Sequence, residues 1–340
     1  MRIVLTGAAG FIGSHTLVVL QELGHQVVAI DDFSNSEPHI PARIQEITGK
    51  AAEWIEVDIA RPGALVQALK SGPAVDGIIH FAAFKAVEES VNLPLKYYRN
   101  NLYGLVEVLD CMRELQIRNL VFSSSCTVYG NPERLPVDES APFRPAVSPY
   151  GETKQMGERI LVDSLKAHPE LRACILRYFN PIGAHPSGLI GELCRGVPSN
   201  LIPYITQTAI GKRERLRIFG NDYSTADGTC IRDFIHVSDL ADAHVRALDY
   251  LKTTDTNPCI FNVGTGNGVS VQEAVDTFSA IWGKPLPVEY APRRAGDVEQ
   301  IWSDTQKIER ELGWTAQRNL ADALQDAWRW EQNLAKYRQQ

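Results

Sequence analysis

Apolar residues form short, nearly continuous runs along the first half of the chain, and amphipathic stretches separate these runs. Continuous apolar runs are typical of strands that are buried on both faces of a parallel sheet. The runs predict strands at Arg2–Thr6, Gln26–Asp31, Trp54–Asp58, Gly77–Ala82, Asn119–Ser124 and Ala173–Phe179. The stretches between them predict helices over roughly 12–22, 62–70, 90–115 and 148–167. This alternation predicts an α/β fold built on a doubly wound parallel sheet of the Rossmann type.

The alternation stops after Phe179. Residues 180–200 are rich in Gly and Pro and predict a long loop, and such loops usually serve a functional site. Further helices are predicted near 201–211, 237–251 and 319–334, with strands at Arg217–Phe219 and Ile260–Val263 and a polar tail at the end. We therefore expect a Rossmann domain over residues 1–180 and a smaller mixed α/β C-terminal substrate domain over residues 181–340. A segment near 230–265 is expected to return to the first domain.

The composition disfavours several classes of protein. A net charge of −7 argues against a broad nucleic-acid-binding face, which needs a basic surface. No apolar stretch approaches the ~20 residues that a membrane span requires, and no signal peptide follows Met1. The 6 cysteines lie far apart and the 8 histidines show no metal-binding spacing, so we expect reduced thiols and no metal site. We predict a cytoplasmic protein with neither a nucleic-acid nor a membrane partner.

Three glycines, Gly7, Gly10 and Gly13, follow the first predicted strand and open the first predicted helix. At this G-x-x-G-x-x-G spacing they permit a tight turn and let the backbone approach a pyrophosphate, for which the helix N-terminus supplies N–H donors. The strand–turn–helix context is the one that dinucleotide binding requires. The turn therefore predicts a dinucleotide site, with a glycine turn that serves packing alone as the alternative.

Acidic residues end the second and third predicted strands. Asp31 stands where an acid hydrogen-bonds the adenosine ribose hydroxyls. Its charge repels a 2′-phosphate, so the predicted cofactor is NAD rather than NADP. Asp32 either belongs to the same site or opens the following turn. Asp58 either holds the adenine amino group or caps the next helix.

Tyr150 and Lys154 lie one turn apart at the start of a predicted helix and therefore face the same side. A tyrosine has a reference pKa near 10, which must fall by roughly three units if the residue is to act as a base at neutral pH. A neighbouring lysine and a positive nicotinamide ring both favour the phenolate. The serines Ser123–Ser125 end the preceding strand, where doubly wound folds bind their ligands, and offer a hydroxyl that shares the proton.

These residues belong to motifs that extend along nearly the whole chain. The motifs are the glycine turn, His80–Val87, Tyr97–Asn101, Ser123–Gly130, Ser148–Gly151 with Lys154, Leu176–Pro181, Gly183–Pro186, Gly228–Thr229 and Ile231–Asp233. Together they resemble the extended short-chain dehydrogenase/reductase family, and within it the epimerases that act at C4 of UDP-hexoses. The resemblance implies an NAD-dependent isomerase that reversibly epimerises UDP-glucose and UDP-galactose through a 4-keto sugar. Its NAD stays tightly bound and is transiently reduced in each turnover.

The resemblance also implies a role for each site residue. Tyr150 removes the proton of the 4-hydroxyl, Ser125 assists the transfer, and Lys154 holds the nicotinamide ribose and tunes Tyr150. The predicted cofactor-binding residues are Gly7, Gly10, Phe11, Ile12, Gly13, Asp31, Asp32, Asn35, Ser36, Asp58, Ile59, Phe81, Ala82, Ala83, Lys85, Asn100, Ser125, Tyr150, Lys154 and Phe179. The predicted UDP-sugar-binding residues are Lys85, Ser125, Tyr150, Asn180, Asn200, Leu201, Arg217, Ile218, Phe219, Arg232, Arg294, Asp297 and Ile301. The arginines suit a diphosphate, which needs charge-assisted donors.

Three positions depart from the family pattern. Ala83 replaces a frequent glycine beside the nicotinamide, and Cys126 replaces a frequent alanine. At the position of Ile301, the family members that are restricted to plain hexoses have a tyrosine. The members that accept N-acetylated sugars have a small residue there. Isoleucine is intermediate in bulk, so a side activity on UDP-N-acetylhexosamines stays open.

Other reaction types are disfavoured by individual residues. Nucleotide-sugar 4,6-dehydratases and UDP-glucuronate decarboxylases carry an acid in the segment before Val128–Gly130, whereas Ser125–Thr127 offer no carboxylate for an elimination. A reductase would consume NADPH, which Asp31 disfavours. A non-catalytic NAD-bound regulator, a different class of protein, does not need the side chains of Ser125, Tyr150 and Lys154. Their presence therefore disfavours this class.

A homodimer is expected from the helices predicted over 90–115 and 148–167. Their apolar positions exceed what one sheet face needs, and relatives pair these helices across a two-fold axis. The positions are Leu102, Leu105, Val106, Leu109, Met112, Ile160, Leu161 and Leu165.

Overall fold

The computed structural model describes residues 1–194, 196–294 and 297–337. In chain order its strands are β1 (Arg2–Thr6), β2 (Gln26–Asp31), β3 (Glu53–Glu56), β4 (Gly77–His80), β5 (Asn119–Ser125), β6 (Arg172–Tyr178), β7 (Asn180–Ile182), β8 (Leu216–Phe219), β9 (Ile231–Arg232), β10 (Phe234–His236), β11 (Cys259–Val263), β12 (Val269–Ser270), β13 (Val288–Ala291) and β14 (Gln300–Ile301). Its α-helices are α1 (Phe11–Glu22), α2 (Ile40–Thr48), α3 (Ala64–Leu69), α4 (Val87–Asn92), α5 (Pro94–Tyr97), α6 (Gly104–Glu114), α7 (Pro149–Ala167), α8 (Leu201–Ala209), α9 (Val237–Tyr250), α10 (Val271–Trp282), α11 (Gln306–Leu312) and α12 (Leu320–Tyr337). Arg195 of the predicted loop, residues 295–296 and the predicted polar tail 338–340 lie outside the described residues.

The centre of the described fold is a parallel sheet of seven strands in the order β11-β6-β5-β4-β1-β2-β3. The chain moves outward from β1 in one direction through β3 and then returns to build the other half from β4. The strand order therefore reverses between β1 and β4, where doubly wound folds bind their ligands. The predicted doubly wound α/β fold is confirmed.

Helices cover both faces of the sheet. On one face α1, α2, α9 and α11 pack against it through residues such as Leu17 and Leu248. On the other face α3, α6 and α7 do so through residues such as Leu105 and Leu161. Because both faces are covered, the central strands are apolar along their whole length, which is the pattern that made them predictable.

The six strands predicted before residue 180 all form, with ends displaced by no more than two residues. The single helix predicted over 90–115 is wrong, because α4, α5, a π-helix over Tyr98–Tyr103 and α6 replace it. Pro94 has no N–H to continue α4 and lies instead in the first turn of α5, where a proline is tolerated. Helices α2, α10 and α11 were not predicted.

After residue 180 the chain forms smaller elements at the carboxyl edge of the sheet. Two-stranded sheets pair β8 with β13 and β7 with β10, and a three-stranded sheet has the order β12-β9-β14. Helices α8, α10 and α12 enclose a separate apolar core with them. The division into domains 1–180 and 181–340 stays a prediction, although β11 does pair with β6 of the central sheet. None of the helices in the described ranges has the length and apolarity to cross a bilayer.

Candidate active site

A cleft of about 1310 Å³, partly open to solvent, lies at the carboxyl edge of the sheet around the reversal between β1 and β4. The structure brings most of the predicted cofactor-binding residues together along its wall. Those that line it are Gly7, Gly10, Phe11, Ile12, Gly13, Asp31, Asp32, Asn35, Ser36, Asp58, Ile59, Phe81, Ala82, Ala83, Lys85, Asn100, Tyr150 and Lys154. Ser125 and Phe179 do not line it and are buried instead.

The glycine turn fits closely against the neighbouring backbone. Gly7 has a φ of +69°, and a Cβ on it would lie 2.7 Å from the amide nitrogen of Ala82. A Cβ on Gly13 would lie 2.1 Å from the carbonyl oxygen of Gly7. Gly10 is the N-cap of α1 and no side chain caps the helix there, so the N–H groups of its first turn are available to an anion. The turn therefore fits a pyrophosphate group.

Asp31 ties the glycine turn to the end of β2. Its Oδ2 accepts a hydrogen bond from the amide of Ala9 at 2.9 Å, and its Oδ1 accepts from the amide of Phe33 at 2.9 Å and from Ser36 Oγ at 2.8 Å. Burial raises the pKa of this carboxyl, and the hydrogen bonds that it accepts oppose the rise. A carboxylate oxygen accepts two hydrogen bonds, so Oδ2 keeps capacity for a ligand hydroxyl.

The structure tests the alternatives for Asp32 and Asp58. Asp32 is exposed, and its Oδ1 accepts hydrogen bonds from the amide and hydroxyl of Ser34, as a turn-opening residue does. Asp58 accepts a hydrogen bond from the amide of Ala60 at 3.0 Å, but it does not cap the next helix, because Gly63 is the N-cap of α3 and no side chain caps that helix. Both residues nevertheless face the cleft, so neither turn contact excludes contact with a ligand.

The start of α7 places the two predicted catalytic residues on one face. Ser148 is its N-cap and accepts a hydrogen bond from the amide of Gly151, and Pro149 occupies the first turn. Tyr150 and Lys154 are 6% and 5% exposed. Lys154 Nζ donates to the carbonyl oxygen of Ser123 at 2.7 Å and lies 5.8 Å from the centroid of the Tyr150 ring. The lysine is thus fixed by β5 beside the tyrosine.

Ser125 ends β5 beside Tyr150, and its hydroxyl favours the phenolate form of Tyr150. The protein groups alone do not produce the lowered tyrosine pKa that the sequence predicts. Burial raises the pKa of Tyr150 above its ordinary value, and the nearby Ser125 hydroxyl only partly offsets this rise. Burial also lowers the pKa of Lys154 to about 8, against the opposing charge of Glu158. A further positive charge is therefore needed for Tyr150 to act as a base.

Two of the three predicted substrate-binding arginines, Arg232 and Arg294, come from separate segments and converge on one carboxylate. Asp297 lies 3.8 Å from Arg232 on β9 and 2.8 Å from Arg294. The guanidinium of Arg294 also lies 5.6 Å from the ring centroid of Phe219, which is partly exposed at the end of β8. Two cations and an accessible ring are thus held together, an arrangement that suits a nucleoside diphosphate.

The remaining predicted substrate-binding residues differ in their environments. Ile218 is buried in the smaller core, and Arg217 is exposed beside Glu289. Ile301 packs in an apolar cluster with Cys126, Tyr129 and Phe179. Among the described residues, Asn180 Oδ1 is buried without a hydrogen-bond partner, as expected of an atom that awaits a ligand. Asn200 and Leu201 begin α8.

Glu192 and Tyr178 are two of the cleft residues that the sequence analysis missed. Glu192 accepts hydrogen bonds from Lys85 Nζ at 2.7 Å and Asn200 Nδ2 at 2.6 Å, and it lines the cleft. It lies in the predicted loop and carries no local sequence signal. Tyr178 lines the cleft at the end of β6, whereas the adjacent Phe179 does not. Its position at a strand end was the available signal, because successive side chains of a strand point to opposite faces.

Comparisons with known proteins agree with this geometry. The model of the NAD dependent epimerase/dehydratase family matches residues 3–264. UDP-glucose 4-epimerase of Yersinia pestis is 48% identical over 333 residues, which cover 97% of this chain and 97% of that protein. The structure is similar to UDP-glucose 4-epimerase of Stenotrophomonas maltophila with bound NAD and formylated UDP-arabinopyranose, with a TM-score of 0.96, 43% identity and 99% of each chain covered. It is also similar to the Bifidobacterium longum enzyme in complex with NAD⁺ and UDP, with a TM-score of 0.93, 39% identity and 98% of each chain covered. The chain belongs to the NAD dependent epimerase/dehydratase family.

Proposed function

We propose that the protein reversibly epimerises UDP-glucose and UDP-galactose at C4, through a 4-keto sugar and with tightly bound NAD. The observation that carries the proposal is the position of Tyr150 and Lys154, side by side at the start of α7 on the wall of a cleft that fits a dinucleotide. The relatives that match nearly the whole chain are UDP-glucose 4-epimerases, and they support the same reaction.

The residues of the cleft fit NAD. The glycine turn holds the pyrophosphate at the N-terminus of α1, and the free capacity of Asp31 Oδ2 accepts a ribose hydroxyl. A 2′-phosphate would meet the same carboxylate, so NADP is disfavoured. Lys85, in the loop after β4, and Asn100, on the π-helix, line the same cleft. Bound NAD supplies the hydride acceptor for C4 and, in the second half of the reaction, the hydride donor.

The protein groups manage the proton and the orientation of the sugar. Tyr150 takes the proton of the 4-hydroxyl, and Ser125, whose hydroxyl favours the phenolate form of Tyr150, assists the transfer. Lys154, charged below pH about 8 and held by the Ser123 carbonyl, favours the phenolate form of Tyr150. The oxidised cofactor's positive ring adds to that charge, which the raised pKa of Tyr150 makes necessary.

The turn after Ser125 limits the chemistry to oxidation and reduction. Cys126 and Thr127 begin a short 3₁₀ helix over Cys126–Tyr129, and neither carries a carboxylate. An elimination or a decarboxylation after the oxidation therefore lacks its acid. Burial raises the pKa of the Cys126 thiol to about 12, so the thiol does not replace that acid.

The sugar range depends on Ile301. Its side chain is buried against Cys126 and Phe179, so this wall is neither as bulky as a tyrosine nor as open as a small residue would make it. UDP-galactose and UDP-glucose are the proposed main substrates, with UDP-N-acetylhexosamines as a side activity. Turnover of the N-acetylated sugars alone would overturn this assignment.

A homodimer is also proposed, through the outward sides of α4–α6. Most of the apolar residues named in the sequence analysis, such as Leu105 and Leu161, are buried in the core and cannot serve an interface. The exposed residues Val91, Leu95 and Tyr103 supply the apolar surface in their place. Sedimentation of the wild type as a dimer, and of Tyr103→Glu as a monomer, is the expected result; a monomeric wild type contradicts it.

We place the protein in the cytoplasm, because the thiols favour a reducing compartment. All six cysteines are free, and all but Cys194 are buried.

The test of the proposed function is incubation of purified protein with UDP-galactose without added NAD. Formation of UDP-glucose supports the reaction and the retained cofactor together. Tyr150→Phe is expected to abolish the conversion, whereas Tyr250→Phe, a matched change at the end of α9, is expected to leave it intact. No conversion by a wild type that contains NAD would sink the proposal.

A further inference from the structure

The chain after β7 forms a loop over residues 183–194, here called the cleft loop, because its residues 191–193 line the cleft. Glu192 of this loop accepts the hydrogen bond from Lys85 Nζ at 2.7 Å. The same ammonium lies 5.7 Å from the ring centroid of Phe11, in the first turn of α1. The cleft loop is thereby attached to the end of the cleft that fits a pyrophosphate.

The cleft loop also packs against the C-terminal helix α12. Trp330 of that helix is 3% exposed, and its Nε1 donates to the carbonyl oxygen of Glu192 at 3.1 Å. A Cβ on Gly191 would lie 2.5 Å from Cγ of the indole, so the backbone of the loop rests directly on the ring. Leu193 packs against the small apolar cluster that contains Trp330. One buried indole thus contacts the loop at the residues that line the cleft.

Neighbouring side chains hold the rest of the cleft loop. Asn333 and Arg329 of α12 donate to carbonyl oxygens of the loop at 3.1 Å and 2.8 Å. Arg43 of α2 donates to a further carbonyl oxygen of the loop at 3.3 Å, and its guanidinium carbon lies 5.4 Å from the centroid of the Trp330 ring. All these donors, like the indole N–H, bond to main-chain oxygens. They therefore fix the backbone path of a loop that is rich in Gly and Pro.

We propose that Trp330 is a positioning residue, which holds the cleft loop in place beside bound NAD and thereby slows the dissociation of the cofactor. This inference rests on the tightly bound NAD of the proposed function and names the part of the fold that retains it. Trp330 does not line the cleft, so it acts through Glu192 and its neighbours. Opening of a loop is a local equilibrium, and each contact that is lost raises the open fraction in proportion. An NAD molecule that leaves from the open form then dissociates faster by the same factor.

The test measures how fast the purified holoenzyme exchanges its bound NAD for radiolabelled NAD. Trp330→Phe keeps an aromatic ring and loses the donor to Glu192, so exchange is expected to be about 3- to 10-fold faster, the factor that one hydrogen bond corresponds to. Asn333→Ala removes a second contact of the loop and is expected to act in the same direction. Trp328→Phe, the same change on the same helix, is the matched control and keeps the wild-type rate, because Trp328 packs edge-on against Phe278 at 5.8 Å in the separate core.

The control separates positioning of the loop from general loosening of α12. A wild-type exchange rate in folded Trp330→Phe would overturn the proposal, whatever its melting temperature. Equal acceleration in Trp328→Phe would also overturn it, because the effect would then come from the helix as a whole. If Trp330→Phe does not fold, Asn333→Ala decides, and a wild-type exchange rate in that variant contradicts the inference.

This outcome is distinguishable from failure of the proposed function, because exchange of NAD needs no sugar. If the wild type converts no UDP-galactose, the proposed reaction fails, while the exchange rates of the variants still test Trp330. If the wild type is isolated without NAD, each protein is first saturated with unlabelled NAD, and the same comparison of rates applies.

Discussion

Lys154 Nζ is hydrogen-bonded to the backbone carbonyl oxygen of Ser123 at 2.7 Å. The helix that carries the lysine and the strand that ends in Ser125 are therefore joined at the charged group itself. Since burial lowers the pKa of Lys154 to about 8, the ammonium form is present at neutral pH only with a modest margin. The carbonyl favours that form by accepting one of its protons in a hydrogen bond.

The first prediction concerns removal of the ammonium group of Lys154. Lys154→Met loses both the charge beside Tyr150 and the contact with Ser123, so kcat is expected to fall by about 10²-fold or more. Lys166→Met, an exposed position in the last turn of the same helix, is the control and keeps wild-type kcat. Steady-state kinetics with UDP-galactose measure both; equal kcat values would remove Lys154 from the mechanism.

The second prediction concerns Asp31 and cofactor retention. Asp31→Asn removes a charged acceptor for the ribose, and such a hydrogen bond contributes about 1.5–3 kcal/mol, or roughly 10- to 100-fold in NAD affinity. The protein is therefore expected to lose NAD on gel filtration, whereas Asp163→Asn, at an exposed position of α7 that does not line the cleft, retains it. The absorbance ratio of the eluted protein gives the NAD content. A fully loaded Asp31→Asn protein would show that this carboxylate is not a cofactor ligand.

Glu158 and Arg177 provide a prediction about stability. Arg177 donates to Glu158 at 2.7 Å, and both side chains are almost fully buried. Glu158→Gln leaves the guanidinium without its counter-charge, and breaking a buried pair in this way costs about 3–5 kcal/mol. Urea denaturation is expected to show that loss, while Glu152→Gln in the first turn of α7 has little effect. A midpoint unchanged from the wild type would mean that the pair contributes nothing.

The buried histidines predict how stability depends on pH. Burial lowers the pKa of His80 to about 3 and of His244 to about 4, from an ordinary value of 6.5. Between those values the unfolded chain binds more protons, so the free energy of unfolding falls as the pH decreases from about 6.5. The slope is up to about 1.4 kcal/mol per pH unit for each histidine.

Denaturation midpoints between pH 5 and pH 7 measure this dependence. His244→Gln keeps the bonding capacity toward Ser123 and removes one titrating group, so its stability is expected to vary less steeply with pH. The same slope in both proteins would contradict the assignment of that proton to His244.

The sequence predicts those parts of the site that local patterns identify. Gly7, Asp31 and Tyr150 each stand at a strand end or helix start that the alternation of apolar runs identifies, and the fold brings these positions together at one edge. A local signal was also present for the unpredicted helix α10. Ser270 is its N-cap and accepts a hydrogen bond from the amide of Glu273, the spacing of a capping box.

Other features depend on contacts between distant segments. The convergence of Arg232 and Arg294 on Asp297 and the hydrogen bonds from Lys85 and Asn200 to Glu192 exist only after folding. The π-helix was not predicted for a different reason: the apolar periodicity over 90–115 is nearly that of an uninterrupted helix. An insertion of one residue in a turn changes the direction of a few side chains and leaves the average pattern almost intact.

Because of the position of Glu192, a ligand that binds Lys85 or Asn200 must first replace the hydrogen bonds that these residues make with Glu192. Its carboxylate already accepts hydrogen bonds from the ammonium of Lys85 and the side-chain amide of Asn200. A small anion that reaches either group must compete with a held negative charge, and it has too few contacts elsewhere to do so. A dinucleotide or a nucleotide sugar has many such contacts. Glu192 therefore disfavours phosphate and other small anions at Lys85 and Asn200, and it favours ligands large enough to replace these contacts.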